Sequence, residues 1–288
     1  MIPIRSPLFV PGNRANMLEK AMALAPDVLI PDLEDSVPVG EKESARSTVS
    51  SLLPRLARAA AVVIPRVNAA YTGLMEDDLA AVIGPHIYGV TVGKVGDSGE
   101  VRRIASIVDR VEKEAGLETG GIKLVPWIET AGGVVHAYEI CSASPRVVAV
   151  AFGGEDYAND MAIERTEGGA ELAYPRSVVC VAARTAGVQA LDTPYVAFRD
   201  PEGLRRDALT ARGLGFVGKF AIHPSQIGII NDVFTPSDAE IERARRVVAA
   251  FEEAERSGRA STSLDGKMID VPVVRRARSL LELAEKSR

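Results

Sequence analysis

A chain of 288 residues, 47% apolar and 25% charged, carries enough hydrophobic material for a large core, which excludes a disordered tail, a small disulfide scaffold and a fibrous repeat. Lys and Arg number 34 against 39 Asp and Glu, a net charge of -5 that gives no sign of a nucleic-acid partner. Cys141 and Cys180 lie in apolar stretches without CxxC spacing, and the segment 1–10 holds no apolar stretch of signal-peptide length. No run approaches the roughly 18 apolar residues of a membrane span. The expectation is a globular, cytoplasmic protein with no membrane partner.

Short apolar, β-branched runs recur in chain order at 8–10, 28–33, 62–67, 87–95, 122–128, 147–152, 188–196 and 216–222, giving eight candidate strands. Helical spacing fills the stretches between them, clearest over 17–24 and through Ile104, Ile107, Val108 and Val111. Pro54, Pro85, Pro145 and Pro236 read as element boundaries. Strands alternating with helices pair in parallel, so eight such units predict an α/β fold, a (β/α)8 TIM barrel over residues 1–235. A doubly wound open sheet is the competing arrangement. Residues 236–288 lie beyond the barrel: a polar-faced helix over 237–255, a Ser- and Gly-rich flexible connector over 257–266, and an amphipathic helix over 271–285. This C-terminal helical extension either pads its own barrel or serves as a lid, or as an arm exchanged between subunits.

Working residues of such barrels sit where strands end and βα loops begin. Polar groups crowd those ends here: Asp32, Glu34 and Asp35, then Arg66 and Asn68, Lys94, Glu129, Glu155 and Asp156, and His223. Capping of the next helix accounts for any one of them, but six strand ends so furnished exceed what capping requires. Carboxylates on neighbouring strands, Glu129 with Glu155 or Asp156, suit a hard divalent ion such as Mg2+, which takes one or two carboxylates and keeps positions for water and substrate oxygens. Spacing does not choose between Glu155 and Asp156. Arg66 offers a planar fork for a carboxylate. The scattered His86, His136 and His223, without cysteine partners, argue against zinc. The run 213–218 fits GxGxxG and, with Lys219, nearly a P-loop. However, its glycines lead into a strand instead of opening a helix, and Phe220 replaces the Ser or Thr that would hold Mg2+. No GxSxG elbow supports a serine hydrolase.

Longer stretches carry a family likeness. They are Arg5-Ser6-Pro7-Leu8-Phe9-Val10-Pro11-Gly12-Asn13, Pro31-Asp32-Leu33-Glu34-Asp35-Ser36-Val37, Pro65-Arg66-Val67-Asn68, Trp127-Ile128-Glu129-Thr130-Ala131, Phe152-Gly153-Gly154-Glu155-Asp156, 219–227 and 265–272. In this order, and over nearly the whole chain, they resemble the citrate lyase beta subunit-like CoA-ester lyases of the HpcH/HpaI aldolase superfamily, nearest the malyl-CoA and citramalyl-CoA lyases. The resemblance implies a Mg2+-dependent barrel that makes or breaks a carbon–carbon bond between acetyl-CoA and a small 2-keto acid. It makes Glu129 and Asp156 the metal ligands, with Glu129 also beside the substrate, and Arg66 the clamp on the keto acid. It assigns CoA to Phe9, Arg14 and Lys20, two of them cations suited to phosphates. Asp270 matches an acid delivered by the C-terminal lid of a neighbouring subunit in a homotrimer. One departure is Gly93-Lys94-Val95-Gly96, where the family has Pro-Lys-Val-Glu.

Cleavage of a 3-hydroxyacyl thioester needs loss of the hydroxyl proton and a stabilised thioester enolate. On the resemblance, Mg2+ serves as the Lewis acid, Arg66 and the metal carry the developing charge, and Asp270 exchanges the proton at the acetyl carbon. The plain alternative for Asp270 is to cap the helix that begins before Pro272. Three other functions compete. A CoA-free, metal-dependent pyruvate aldolase leaves Arg14, Lys20 and the extension without a purpose. A citrate lyase beta subunit would act on a carrier-protein thioester. A non-catalytic scaffold barrel leaves the acidic pair unexplained.

Overall fold

The first apolar run becomes β1 (Pro7–Pro11), parallel to β2 (Val28–Asp32) with Pro7 opposite Val28 and Pro11 opposite Asp32. The computed structural model describes residues 4–24, 26–59, 62–166 and 168–286. The chain divides into two compact units, Met1–Ile230 and Asn231–Arg288. In the first unit the strands continue as β3 (Val62–Val63), β4 (Arg66–Val67), β5 (Gly89–Val92), β6 (Lys123–Ile128), β7 (Ala149–Phe152), β8 (Gln189–Asp192) and β9 (Gly218–Lys219). Between them run α1 (Ala15–Ala21), α2 (Lys42–Ala59), α3 (Met75–Val82), α4 (Ser98–Glu114), α5 (Ala131–Val135), α6 (Ala137–Cys141), α7 (Gly154–Asp160), α8 (Ala173–Ala186) and α9 (Pro201–Leu214), with α10 (Ser225–Phe234) after the last strand.

Every strand pairing in this unit is parallel, and neighbours follow chain order around the sheet. A parallel bridge from Leu8 to Ala221 closes the ring, with the Phe9 N–H donating to the Ala221 carbonyl at 2.9 Å. This is the closed (β/α)8 barrel. The stave expected over 62–67 is two short strands, because Pro65 brings no N–H to the ladder. It stays continuous all the same: the Ile64 N–H reaches the Leu29 carbonyl and the Pro65 carbonyl accepts from Thr91.

Because helices cover one face and the barrel interior the other, the strands read as unbroken apolar runs. Ile30, Val62, Ile64, Val125, Trp127, Ala151, Leu191 and Phe220 fill the interior. Pro54 does not end a helix as expected but lies inside α2. The carbonyl it leaves without a donor belongs to exposed Ser50, while Val49, Leu52, Leu53 and Leu56 stay buried. The 213–218 run bridges the end of α9 and the entry to β9, as its order predicts.

The second unit contains α11 (Asp238–Arg256), whose N-terminus has a capping box between Ser237 and Glu240. The segment expected to be a flexible connector instead holds β10 (Thr262–Leu264), paired antiparallel with β11 (Lys267–Ile269). Asp265 and Gly266 take φ of 51° and 74°, the two left-handed positions of a tight hairpin turn, for which Asp-Gly is the favoured pair. Ile269 packs with Val247, Phe251 and with Val274 of α12 (Val271–Lys286).

Candidate active site

The β2 chain end is shaped by Asp32, whose carboxylate accepts from the N–H groups of Glu34 and Ser36 at 2.9 and 3.2 Å. This tight turn turns Glu34 and Asp35 toward the strand ends. Arg66 stands directly opposite Asp32 in the register of β2 and β4. Its Nε and Nη2 donate to the two Asp32 oxygens at 2.6 and 2.7 Å, and its Nη1 lies 3.2 Å from Glu34 and 3.1 Å from Asp35. The same guanidinium sits 4.6 Å above the ring of Phe9, which stacks on Phe220 and tilts against Trp127. Trp127 is locked in turn by an indole N–H bond to the Thr91 hydroxyl at 2.6 Å.

Across from Arg66, β6 delivers Glu129, only 3% exposed. Two glycines make room for it: a Cβ on Gly153 would fall well inside contact distance of the Glu129 side chain, and one on Gly93 would lie 2.9 Å from its Oε1. After Gly93 the backbone of Lys94 turns left-handed, with φ of 57°, so that its N–H donates to Glu129 Oε1 while its ammonium swings over the cluster. Lys94 Nζ lies 3.3 Å from Glu34, 3.6 Å from Asp35, 3.8 Å from Asp156 and 3.9 Å from Glu129. Asp32, Asp35, Arg66, Trp127, Glu129 and Asp156 line a cavity of about 430 Å³ at this end of the barrel.

Five carboxylates thus face two cations. Burial pushes the Glu129 carboxyl up to about 8, reinforced by Asp156 and Glu34 and opposed by Lys94. Burial also raises the Glu34 carboxyl, against the pull of Arg66. Asp32 moves the other way: its burial is outweighed by Arg66 and by the hydrogen bonds from its own turn. Burial works against the charge of Arg66 and Lys94 too, but the surrounding carboxylates outweigh it and hold both firmly protonated. Glu34 Oε2 is buried with no hydrogen bond among the described residues, although Arg66 Nη1 is 3.2 Å away.

The donor set is all hard oxygen. No group of three His, Cys, Asp or Glu in ligating arrangement occurs among the described residues, so a closed zinc-type cage is not built there. A carboxylate pair in a cradle cleared by two glycines, opening on a cavity, fits an ion of the Mg2+ type, which needs few protein ligands.

Of the residues singled out from sequence, Phe9, Asp32, Asp35, Arg66, Glu129, Glu155 and Asp156 line this cavity. Glu155 and Asp156, inseparable by spacing, both border the cavity but differ in partner: Glu155 forms an ion pair with Arg165, whereas Asp156 lies 3.8 Å from Lys94. Arg14 and Lys20 are exposed on the α1 segment and do not line the cavity. His223 stacks on Phe198 with ring centroids 4.9 Å apart and bonds to Ser225, outside the carboxylate cluster. Asp270 belongs to the second unit, where its Oδ1 accepts from the Val273 N–H at 3.2 Å and caps α12. Sequence reasoning saw Asp32, Glu34, Asp35 and Lys94 as strand-end groups but gave them no task. The signal for the first three was their spacing after β2; that for Lys94 was the glycine before it.

A carboxylate pair, an arginine and a lysine gathered over an aromatic floor at the strand ends of a barrel form the layout of a metal-assisted carbon–carbon lyase. The family model for HpcH/HpaI aldolase/citrate lyase matches residues 5–224, and the chain belongs to this family of carbon–carbon lyases. The citrate lyase subunit beta of Leuconostoc mesenteroides subsp. cremoris is 38% identical over 280 residues, 97% of this chain and 93% of that one. The L-malyl-CoA/beta-methylmalyl-CoA lyase of Cereibacter sphaeroides is 32% identical over 98% of this chain and 95% of that one. The CitE protein of Mycobacterium tuberculosis, solved in complex with magnesium, acetoacetate and coenzyme A, superposes with a TM-score of 0.81 at 30% identity, covering 98% of each chain. No helix among the described residues is long and apolar enough to cross a membrane.

Proposed function

We propose that this protein is a Mg2+-dependent lyase that cleaves a 3-hydroxyacyl-CoA of the citramalyl-CoA or malyl-CoA type to acetyl-CoA and a 2-keto acid, or joins them in reverse. The observation that carries this reading is buried Glu129 and part-exposed Asp156, which line one cavity with Arg66 and both lie within 4 Å of Lys94. The relatives with malyl-CoA lyase and CoA-bound CitE names support it. Bound Mg2+ would act as a Lewis acid on the hydroxyl and carboxylate oxygens of the substrate. Glu129, just after β6, and Asp156, on the first turn of α7, would hold the ion. Arg66, its Nε–Nη2 edge committed to Asp32, would turn Nη1 from exposed Asp35 to the keto-acid carboxylate. Lys94 adds positive charge to the wall of carboxylates, offsetting what the substrate brings. Phe9, Trp127 and Phe220 close the floor to water.

In the same reading residues 1–235 are the catalytic barrel and 236–288 the lid extension of a cytoplasmic homotrimer. A neighbouring subunit supplies Asp270, which moves the proton at the acetyl carbon. Phe9 and the exposed cations Arg14 and Lys20 hold CoA. A second reading, a citrate lyase beta subunit acting on a carrier-protein thioester, is favoured by the 38% identity to the Leuconostoc subunit, above the 32% to the malyl-CoA lyase.

One assay separates them. Purified protein is incubated with citramalyl-CoA and with malyl-CoA, in Mg2+ or in EDTA, and the keto acid released is trapped and identified. Metal-dependent release of pyruvate or glyoxylate, lost in Glu129→Ala, is the expected result. No release from free CoA esters by a folded, Mg2+-binding protein would overturn the first reading in favour of the second.

A further inference from the structure

Beneath the cavity lies a second cluster of charges that takes no part in the chemistry above. Arg176 on α8, Asp192 at the end of β8, Asp207 on α9 and Lys219 on β9 form a closed network of two cations and two anions. Arg176 grips Asp192 with two hydrogen bonds of 3.0 and 2.9 Å and reaches Asp207 at 2.9 Å. Lys219, wholly buried, places its ammonium 2.6 Å from Asp192, 2.5 Å from Asp207 and 2.7 Å from the Thr193 carbonyl, one acceptor for each of its three protons. Buried ion networks add little net stability over apolar packing, and their best-attested benefit is to impose one geometry. The geometry imposed here is that of Thr193.

Thr193 is 1% exposed and lines the cavity. Its hydroxyl accepts the Gly154 N–H at 3.0 Å. Gly154 opens α7, whose first-turn N–H groups have no partner inside the helix, and Asp156 follows on that same turn. The seat is close-fitting: a Cβ on Gly154 would lie 2.9 Å from the tip of Leu172 and 3.2 Å from the Thr193 hydroxyl. An unbroken path therefore runs from the buried charges through Lys219 to the Thr193 backbone, and from the Thr193 hydroxyl to the turn that presents Asp156.

We infer that Thr193 is a positioning residue for the metal site: anchored by the Arg176–Asp192–Asp207–Lys219 network, it sets the start of α7 so that Asp156 and Glu129 converge on one ion. This rests on the reading of Glu129 and Asp156 as Mg2+ ligands. Thr193 acts through Asp156 and needs no contact with the ion itself. Its hydroxyl is the working atom, so an isosteric side chain without one leaves the fold in place while the carboxylate drifts.

The test is Mg2+ titration calorimetry on the full chain, wild type beside Thr193→Val, Thr193→Ser and Asp156→Asn, with thermal unfolding of each in EDTA. Thr193→Val is expected to bind Mg2+ about tenfold more weakly, the usual cost of losing a partner behind a ligand. Its unfolding temperature in EDTA stays near wild type, and Thr193→Ser, which keeps the hydroxyl, restores affinity. Gly154 amide exchange should quicken in Thr193→Val alone. Should Thr193→Val not fold, Thr193→Ala takes its place with the same expectations. Wild-type affinity in Thr193→Val, with Asp156→Asn impaired, overturns the positioning role while sparing the metal site. Wild-type affinity in Asp156→Asn overturns the metal-site reading and this inference with it.

Discussion

Replacing Glu129 by Gln removes a buried charge without changing its shape, and the sign of the effect depends on pH. In the fold its carboxyl is held up to about 8 by burial, against an ordinary 4.5. Below the lower value the carboxyl is neutral in both the folded and the unfolded chain. Between the two, the unfolded chain releases the proton and the folded chain keeps it, so stability falls as pH rises and levels off above about 8. The limiting slope is about 1.4 kcal/mol per pH unit, which over this window amounts to a loss on the order of 3–5 kcal/mol. Urea unfolding in EDTA at about pH 5.5 and about pH 8.5 measures it. Wild type should lose stability across that interval, whereas Glu129→Gln should lose only the smaller part contributed by Glu34, whose carboxyl burial also raises. At the upper pH the variant should be the more stable protein, because its amide oxygen still accepts the Lys94 N–H. Adding Mg2+ should reverse the order by stabilising wild type alone. An equal slope in both proteins, or a variant less stable at the upper pH, would refute the assignment of a buried, proton-holding Glu129.

Three further outcomes follow from the same geometry. Gly153→Ala drives a methyl into the Glu129 side chain and should cost at least tenfold in Mg2+ affinity, read by calorimetry. Lys94→Met removes the cation that favours ionised Glu129, so the pH at which Mg2+ binding reaches half its plateau should move upward; an unmoved profile would take Lys94 out of the cluster's electrostatics. Ser237→Ala breaks the capping box of α11 and should cost about 1 kcal/mol in urea unfolding, with lyase kinetics per folded molecule unchanged.

Much of the barrel was legible because its signals are local. Unbroken β-branched runs separated by helical periodicity require a parallel sheet covered on both sides, and that pattern survives even at 62–67, where Pro65 splits the ladder. Local signals also mislead. On sequence Pro54 marks a boundary because its missing N–H ordinarily ends a helix, yet α2 runs through it, since the carbonyl left without a donor belongs to an exposed residue, Ser50. The Ser and Gly content of 257–266 suggests a flexible connector, while Asp265-Gly266 is a hairpin signal of its own.

What the sequence by itself determined is which end of the barrel is charged: acids and bases follow the strands, and a parallel barrel brings all those ends to one face. The tertiary structure decided which of them meet. Arg66 reaches Asp32 because β2 and β4 place them in register, Lys94 crosses to the carboxylates through one left-handed residue, and Glu155 pairs with Arg165 while Asp156 lies beside Lys94. Strand register and a single backbone angle set these directions, and the interaction between charges depends on the distance that results. Spacing along a chain carries neither quantity, so the ends of the strands were readable and their convergence was not.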